Sequence, residues 1–154
     1  MIQRIQTLYL LAIVVLSCLA FFLPTASFYI SESDIPFKLN YQGIEGVDNM
    51  NTWSLKIISG IIPIIALVTI FLFKQRATQI RLSLTNMFLM LGWYVIFFMT
   101  VIQSANTMSA EWPDVRWIPN VSASFPLVCI ILSWLAIRAI GKDIALLKSL
   151  NRLR

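Results

Sequence analysis

Four long apolar runs, separated by short polar segments, constrain this chain more than any other feature of its sequence. They cover about residues 5–23, 55–73, 82–102 and 121–140, and none contains an acidic residue. Each is close to the roughly 20 residues that an α-helix needs to cross about 30 Å of hydrocarbon. Backbone polar groups have no water to bind there, so such runs must be helical. The sequence predicts an all-α membrane protein, a four-transmembrane-helix bundle in one domain.

The composition agrees with a membrane protein and argues against an enzyme. Of the 154 residues, 58% are hydrophobic and 12% are charged, whereas a soluble domain carries about 25% charged residues. The chain has no histidine, and its two cysteines, Cys18 and Cys129, lie in separate apolar runs. Histidine is the commonest general base and metal ligand. We therefore expect no catalytic residue, no metal site and no cofactor.

The charges are distributed unequally between the segments that connect the runs. Nine of the 12 lysines and arginines fall on one side, and six of the seven acidic residues fall on the other. The nine bases are Arg4, Lys74, Arg76, Arg81, Arg138, Lys142, Lys148, Arg152 and Arg154. Cytoplasmic segments carry an excess of Lys and Arg. Both termini, the connecting loop 74–81 and the tail 141–154 are therefore predicted to be cytoplasmic.

The two opposite loops, residues 25–52 and 103–120, have some strand character. Phe37, Leu39 and Tyr41 alternate with polar residues, as in a half-buried strand. Residues 26–30 are expected to pair with this segment after a turn through 31–36, and residues 115–118 are a third candidate strand. We expect a small β-like extracytoplasmic cap, with a flexible loop as the alternative.

The tail is predicted to continue the fourth helix as a basic amphipathic helix. Leucines and isoleucines fall on one face, and Arg138, Lys142, Lys148 and Arg152 fall on the opposite one. Such a helix either lies on anionic lipid or docks on a protein or on the phosphates of ribosomal RNA. The candidate partner or anionic-lipid contacts are Arg138, Lys142, Asp143, Lys148, Arg152, Arg154, Arg76 and Arg81.

Asp143 lies on the apolar side of this predicted helix, where an unpaired carboxylate is costly. We expect it to pair with Lys74, Arg76 or Arg81 of the connecting loop, or with a partner.

Two details leave alternatives open. Pro63 and Pro126 lie inside the second and fourth runs, where proline kinks a helix and can open a groove for an apolar molecule. The first run also resembles a signal sequence up to Cys18. Because apolar residues continue beyond Cys18, we favour an uncleaved first span.

The opening Met1-Ile2-Gln3-Arg4-Ile5-Gln6-Thr7-Leu8-Tyr9-Leu10-Leu11, with the tail from Lys142-Asp143 to Arg152-Leu153-Arg154, resembles an uncharacterised family of small four-span membrane proteins of the Bacteroidota. This family is known as domain of unknown function 4293. The resemblance covers the whole chain and implies four spans in a bacterial inner membrane. It implies no activity and no catalytic residue.

These features together predict a non-enzymatic accessory subunit of a larger inner-membrane complex, in protein export or membrane insertion machinery. The expected partners are membrane lipids, other inner-membrane proteins and the ribosome, and no DNA. The alternative function is a binder or carrier of a lipid or other apolar small molecule.

Overall fold

The computed structural model describes residues 2–30, 33–41, 43–44, 52–73, 75–112 and 114–152, which form four long helices and a small sheet. The helices are α1 (Ile2–Phe22), α2 (Trp53–Phe71), α3 (Arg76–Glu111) and α4 (Phe125–Arg152). The strands are β1 (Ala26–Ile30), β2 (Ser33–Asn40), β3 (Gly43–Ile44) and β4 (Arg116–Pro119). A short 3₁₀ turn, Val121–Ser124, leads directly into α4.

The helices form a bundle in which α1 and α3 each pack against both α2 and α4. Inward-facing side chains such as Ile13, Trp93 and Ala136 are fully buried, whereas Phe88 and Ile131 project outward. All four helices are long and apolar enough to cross a membrane, yet only 28% of each apolar window is buried within the bundle. The remaining apolar surface faces outward, as it does in proteins whose solvent is lipid.

The chain connections give the two ends of the bundle different structures. The start of α1, the α2–α3 connection and the end of α4 lie at one end, which we call the terminal end. The sheet lies at the other, which we call the sheet end. At the terminal end, Nε2 of Gln6 donates a hydrogen bond to the carbonyl of Ala139 at 3.2 Å, joining α1 to α4. Nε2 of Gln79 donates to the carbonyl of Thr69 at 3.3 Å, joining α3 to α2.

Helix α3 is longer than the apolar run that predicts it. It begins at Arg76 and ends at Glu111, so most of the predicted loop 74–81 and the first half of the predicted loop 103–120 are helical. Hydropathy identifies only the apolar part of a helix. The ends of the helix are set by residues whose backbone cannot continue it. Trp112 has the extended backbone that is usual before a proline, here Pro113. At about 1.5 Å per residue, the 36 residues of α3 exceed the thickness of the hydrocarbon layer.

The predicted β-structure is present, within the described residues, as a four-stranded antiparallel sheet in the order β3-β2-β1-β4. Ala26 pairs with Leu39 in β2 and with Pro119 in β4, so β1 is a central strand. Strand β2 begins at Ser33, three residues before the end of the expected turn at 31–36. The side chains of Phe28, Leu39 and Ile44 are buried, while every residue of β4 is exposed.

A cluster of hydrogen bonds joins the end of α1 to the start of α4. Nδ2 of Asn120 donates to the carbonyl of Pro24 at 3.2 Å, and Oδ1 of Asn120 accepts from Ser27 at 3.0 Å. The hydroxyl of Ser122 also donates to the Pro24 carbonyl. The backbone N–H of Asn120 donates to the carbonyl of Thr25 at 3.0 Å. These bonds fix the sheet to the two helices that flank it in the sequence.

Candidate functional site

The charged site at the terminal end is built around an ion pair between α3 and α4. Nη1 of Arg76 and Oδ2 of Asp143 lie 2.9 Å apart, and the two side chains are only 21% and 13% exposed. The two atoms are at ion-pair distance but are not aligned as a hydrogen bond. Among the three bases expected to pair with Asp143, Arg76 is the partner. Lys74 lies outside the described residues, and Arg81 is exposed.

The adjacent residues Lys142 and Asp143 of α4 point in different directions. Successive helical residues differ by about 100° around the axis, so Asp143 faces α3 while Lys142 lies on the side of α1. Lys142 and Arg138 are one turn apart, and both are exposed. The guanidinium carbon of Arg138 lies 5.6 Å from the ring centre of Trp134, a cation–π distance that orients this cation.

A groove runs between α1 and α4 beside these two bases. Its walls include Ile5 and Tyr9 from α1 and Leu135 and Leu146 from α4, and its volume is about 490 Å³. This size lies within the range of about 300–1,000 Å³ that is typical of ligand sites.

The bottom of the groove contains Ala139, whose carbonyl accepts the Gln6 hydrogen bond. The small side chain of Ala139 leaves the space open, and the buried amide of Gln6 fixes the separation of the two helices. Arg138 and Lys142 complete the lining of the groove.

The structure brings together four of the eight predicted contact residues, in two pairs. Arg76 and Asp143 form the ion pair, Arg138 and Lys142 line the groove, and Arg81 lies apart from both as an exposed residue of α3. Helix α4 continues through Arg152, but the side chains of Lys148 and Arg152 and the whole of Arg154 lie outside the described part of the chain.

Helix α4 extends past its neighbours at the terminal end. Gln6 of α1 bonds to Ala139, and the thiol of Cys129 contacts the carbonyl of Ile13 at 3.9 Å. This antiparallel register places Ile2, where α1 begins, about level with Asp143. Helix α3 begins at the same level, because Arg76 contacts Asp143. Leu146 still lines the groove with Ile5 and Tyr9. The helical residues 147–152 therefore extend about 9 Å beyond the bundle at ~1.5 Å per residue.

A second polar cluster, which was not predicted from the sequence, lies inside the bundle near the sheet end. Nε1 of Trp93 donates a hydrogen bond to the hydroxyl of Ser59 at 2.7 Å. The Trp93 ring stacks on the Phe97 ring, with the ring centres 5.1 Å apart. Tyr41 reaches this cluster from the turn after β2, and burial raises the pKa of its phenol despite hydrogen bonds with Ser59 and Trp93 that lower it. A tryptophan in the middle of the third apolar run was the signal for such a polar contact.

The cavity beside Pro126 is small. The space open to the centre of a water molecule is about 20 Å³, and the lining also includes Ser17, Tyr41 and Trp93. One water molecule needs about 10–15 Å³ by this measure. The cavity is therefore large enough for a water and far too small for a lipid chain.

Metal-binding groups are not assembled in the described part of the chain. Its residues contain no group of three or more His, Cys, Asp or Glu side chains placed to hold a metal ion. Cys18 is exposed on the outer surface of the bundle and Cys129 is buried, and both are free thiols.

The fold is that of a four-helix bundle compatible with a multi-pass membrane protein, with a small antiparallel sheet at one end. The chain belongs to the family described as Domain of unknown function (DUF4293), whose model matches residues 2–153. None of the curated proteins compared with the chain matches it.

Proposed function

We propose that this chain is a non-enzymatic accessory subunit of a larger complex in a bacterial inner membrane. The observation that carries the proposal is the extension of α4 beyond the terminal end of the bundle. Since Asp143 is paired with Arg76, the extension starts from a fixed point on the bundle. A helix that projects from a membrane domain and carries bases is suited to contact another macromolecule.

The proposed orientation places the terminal end in the cytoplasm and the sheet outside. Arg76, Arg81, Arg138 and Lys142 lie at the terminal end, and Lys148, Arg152 and Arg154 follow in the sequence. Segments rich in Lys and Arg remain on the cytoplasmic side during insertion. The extension would then face the compartment in which ribosomes and cytosolic proteins are found.

We further propose protein export or membrane insertion machinery as the complex. The ribosome is the cytoplasmic partner expected for such machinery, and it presents the phosphates of its RNA. These phosphates attract Lys and Arg by a salt-dependent electrostatic interaction. The three bases Lys148, Arg152 and Arg154 would form this contact, while the bundle would pack against other membrane subunits.

Purification from native membranes in a mild detergent, followed by mass spectrometry, tests this proposal. Lys148→Gln/Arg152→Gln/Arg154→Gln should lose a partner that the native chain retains. The partner should dissociate from the native chain as salt is raised.

The matched control removes three bases from the opposite side of the chain. Lys38→Gln/Lys56→Gln/Arg116→Gln should retain the partner. Recovery of the native chain without any reproducible partner would contradict the proposal, as would equal loss of the partner from both triple variants.

The alternative function is a binder or carrier of a lipid or other apolar small molecule, and it has less support in the groove expected near Pro63 and Pro126. In the cavity beside Pro126, the space open to the centre of a water molecule is about 20 Å³. Sites for small molecules usually measure about 300–1,000 Å³. A carrier would need the helices to separate before it could load its cargo.

A further inference from the structure

We infer that the groove between α1 and α4 at the terminal end binds one anionic phospholipid, with its phosphate on Arg138 and Lys142 and an acyl chain along the apolar wall. This inference does not depend on the proposed accessory function. It rests on the arrangement of two bases and several apolar side chains around one groove of about 490 Å³.

The two bases provide charge complementarity to a phosphate. Arg138 and Lys142 are one helical turn apart on the same side of α4, and both line the groove. Asp143, the adjacent acid, faces α3 and is paired with Arg76, so its charge is already compensated. A planar guanidinium and an ammonium group together suit a phosphodiester, whose oxygens accept hydrogen bonds from both.

The apolar wall specifies a lipid rather than a free anion. Ile5 and Leu146 are about half exposed, at 52% and 50%, and Leu135 continues the wall toward the middle of the bundle. An inorganic phosphate would leave these side chains uncovered. An acyl chain would cover them through van der Waals contacts, which a free anion has no apolar part to make.

The depth of the groove also fits a lipid headgroup. Tyr9 and Trp134 flank the bases, and aromatic rings of this kind are enriched where the hydrocarbon meets the headgroups. The contact of Arg138 with the face of Trp134 holds the guanidinium at the rim of the groove. The Gln6–Ala139 hydrogen bond keeps α1 and α4 at a fixed separation, so the groove is formed before the lipid binds.

Native mass spectrometry of the full chain, titrated with phosphatidylglycerol or phosphatidylcholine, tests the inference. The native chain should retain one phosphatidylglycerol and bind it at least tenfold more tightly than phosphatidylcholine. Each base is worth roughly 1 kcal/mol toward an anionic lipid. Arg138→Gln/Lys142→Gln should therefore weaken phosphatidylglycerol binding about thirtyfold.

Two further variants separate the groove from general charge. Arg81→Gln/Arg116→Gln removes two exposed bases away from the groove and should bind phosphatidylglycerol as the native chain does. Ala139→Leu keeps both groove bases but fills the floor, and it should lose the bound lipid. Because this variant retains every charge, it tests the groove even if the double glutamine variant fails to fold.

Four results would overturn the inference. The first is equal binding of the two lipids, and the second is equal loss of phosphatidylglycerol from the two double variants. The third is displacement of the lipid by millimolar inorganic phosphate, which would show an anion site without a role for the acyl chain. Crosslinking of Leu146→Cys to a protein in native membranes, in place of lipid retention, would also reject it.

Discussion

Arg76 and Asp143 join the first turn of α3 to α4, with Nη1 and Oδ2 2.9 Å apart and both side chains largely buried. The contact lies at the level where α1 and α3 begin, and α4 is the one helix that continues beyond it in the described part of the chain. It therefore marks the boundary between the bundle and the helical extension.

Breaking this pair from one side should destabilise the bundle. Asp143→Asn or Arg76→Gln leaves one charge partly buried without its partner, at a cost of about 1–3 kcal/mol in the free energy of unfolding. The double variant should recover part of that loss, because neither charge then remains. Thermal unfolding in detergent measures the effect, and Arg81→Gln, at an exposed position of α3, is the control. Additive losses in the double variant would show that the two residues are not coupled.

The Trp93–Ser59 hydrogen bond should contribute little compared with the packing of the Trp93 ring. Trp93→Phe keeps most of the ring volume and removes the Nε1 donor, so we expect a loss of about 0.6–1.7 kcal/mol. Trp93→Ala empties a fully buried site and should cost about 3–5 kcal/mol. Trp134→Phe, at an exposed position, should change stability little. A Phe variant as unstable as the Ala variant would contradict this ranking.

Asn120 should hold the sheet against the bundle. Asn120→Ala removes its hydrogen bonds with Pro24 and Ser27, and we expect a loss of about 1–2 kcal/mol. Hydrogen exchange should accelerate in β1 and β4 more than in α3. Asn106→Ala, an exposed position of α3, serves as the control. Unchanged protection of both strands would mean that strand pairing alone holds the sheet in place.

The proposed orientation can be measured with a membrane-impermeant maleimide. Ser149→Cys and Arg116→Cys place exposed thiols near opposite ends of the molecule, in a background with Cys18→Ala and Cys129→Ala. In spheroplasts, Arg116→Cys should react at once and Ser149→Cys only after the membrane is permeabilised. The reverse pattern would invert the proposed topology.

The stability of the protein should depend on pH in the alkaline range because of Tyr41. Burial raises the pKa of its phenol above the ordinary value of 10.0. The neutral phenol is therefore favoured in the folded state. Its contribution to the free energy of unfolding is fully present below pH 10. That contribution is lost as the pH rises through the folded pKa. The native protein should thus lose stability above pH 10 more steeply than Tyr41→Phe, as measured by chemical denaturation at a series of pH values. Parallel curves would show that Tyr41 is not the group responsible.

The sequence predicted those elements whose signal is local. Four apolar runs predicted four helices. The alternation at Phe37 and Leu39 predicted β2, although Tyr41, expected in the same strand, lies in the turn after it. The ends of α3 were missed because hydropathy does not mark where a helix continues through water. Asp143 was recognised as needing a base, but the sequence could not distinguish among the three bases of one connecting loop. The groove depends on the register of α1 against α4, which the buried Gln6 sets and which no local pattern reveals.

The hydrogen bonds from Asn120 and Ser122 to Pro24 have a consequence for biosynthesis. Their partners are 96 and 98 residues apart in the sequence. At about 5–20 residues per second, the ribosome would need roughly 5–20 seconds to make the second partner after the first. During that interval β1 lacks β4, and one edge of the nascent sheet remains open to other strands. Strand β4 therefore completes the sheet shortly before α4 completes the bundle. A chain released before residue 116 would be prone to aggregate through that edge.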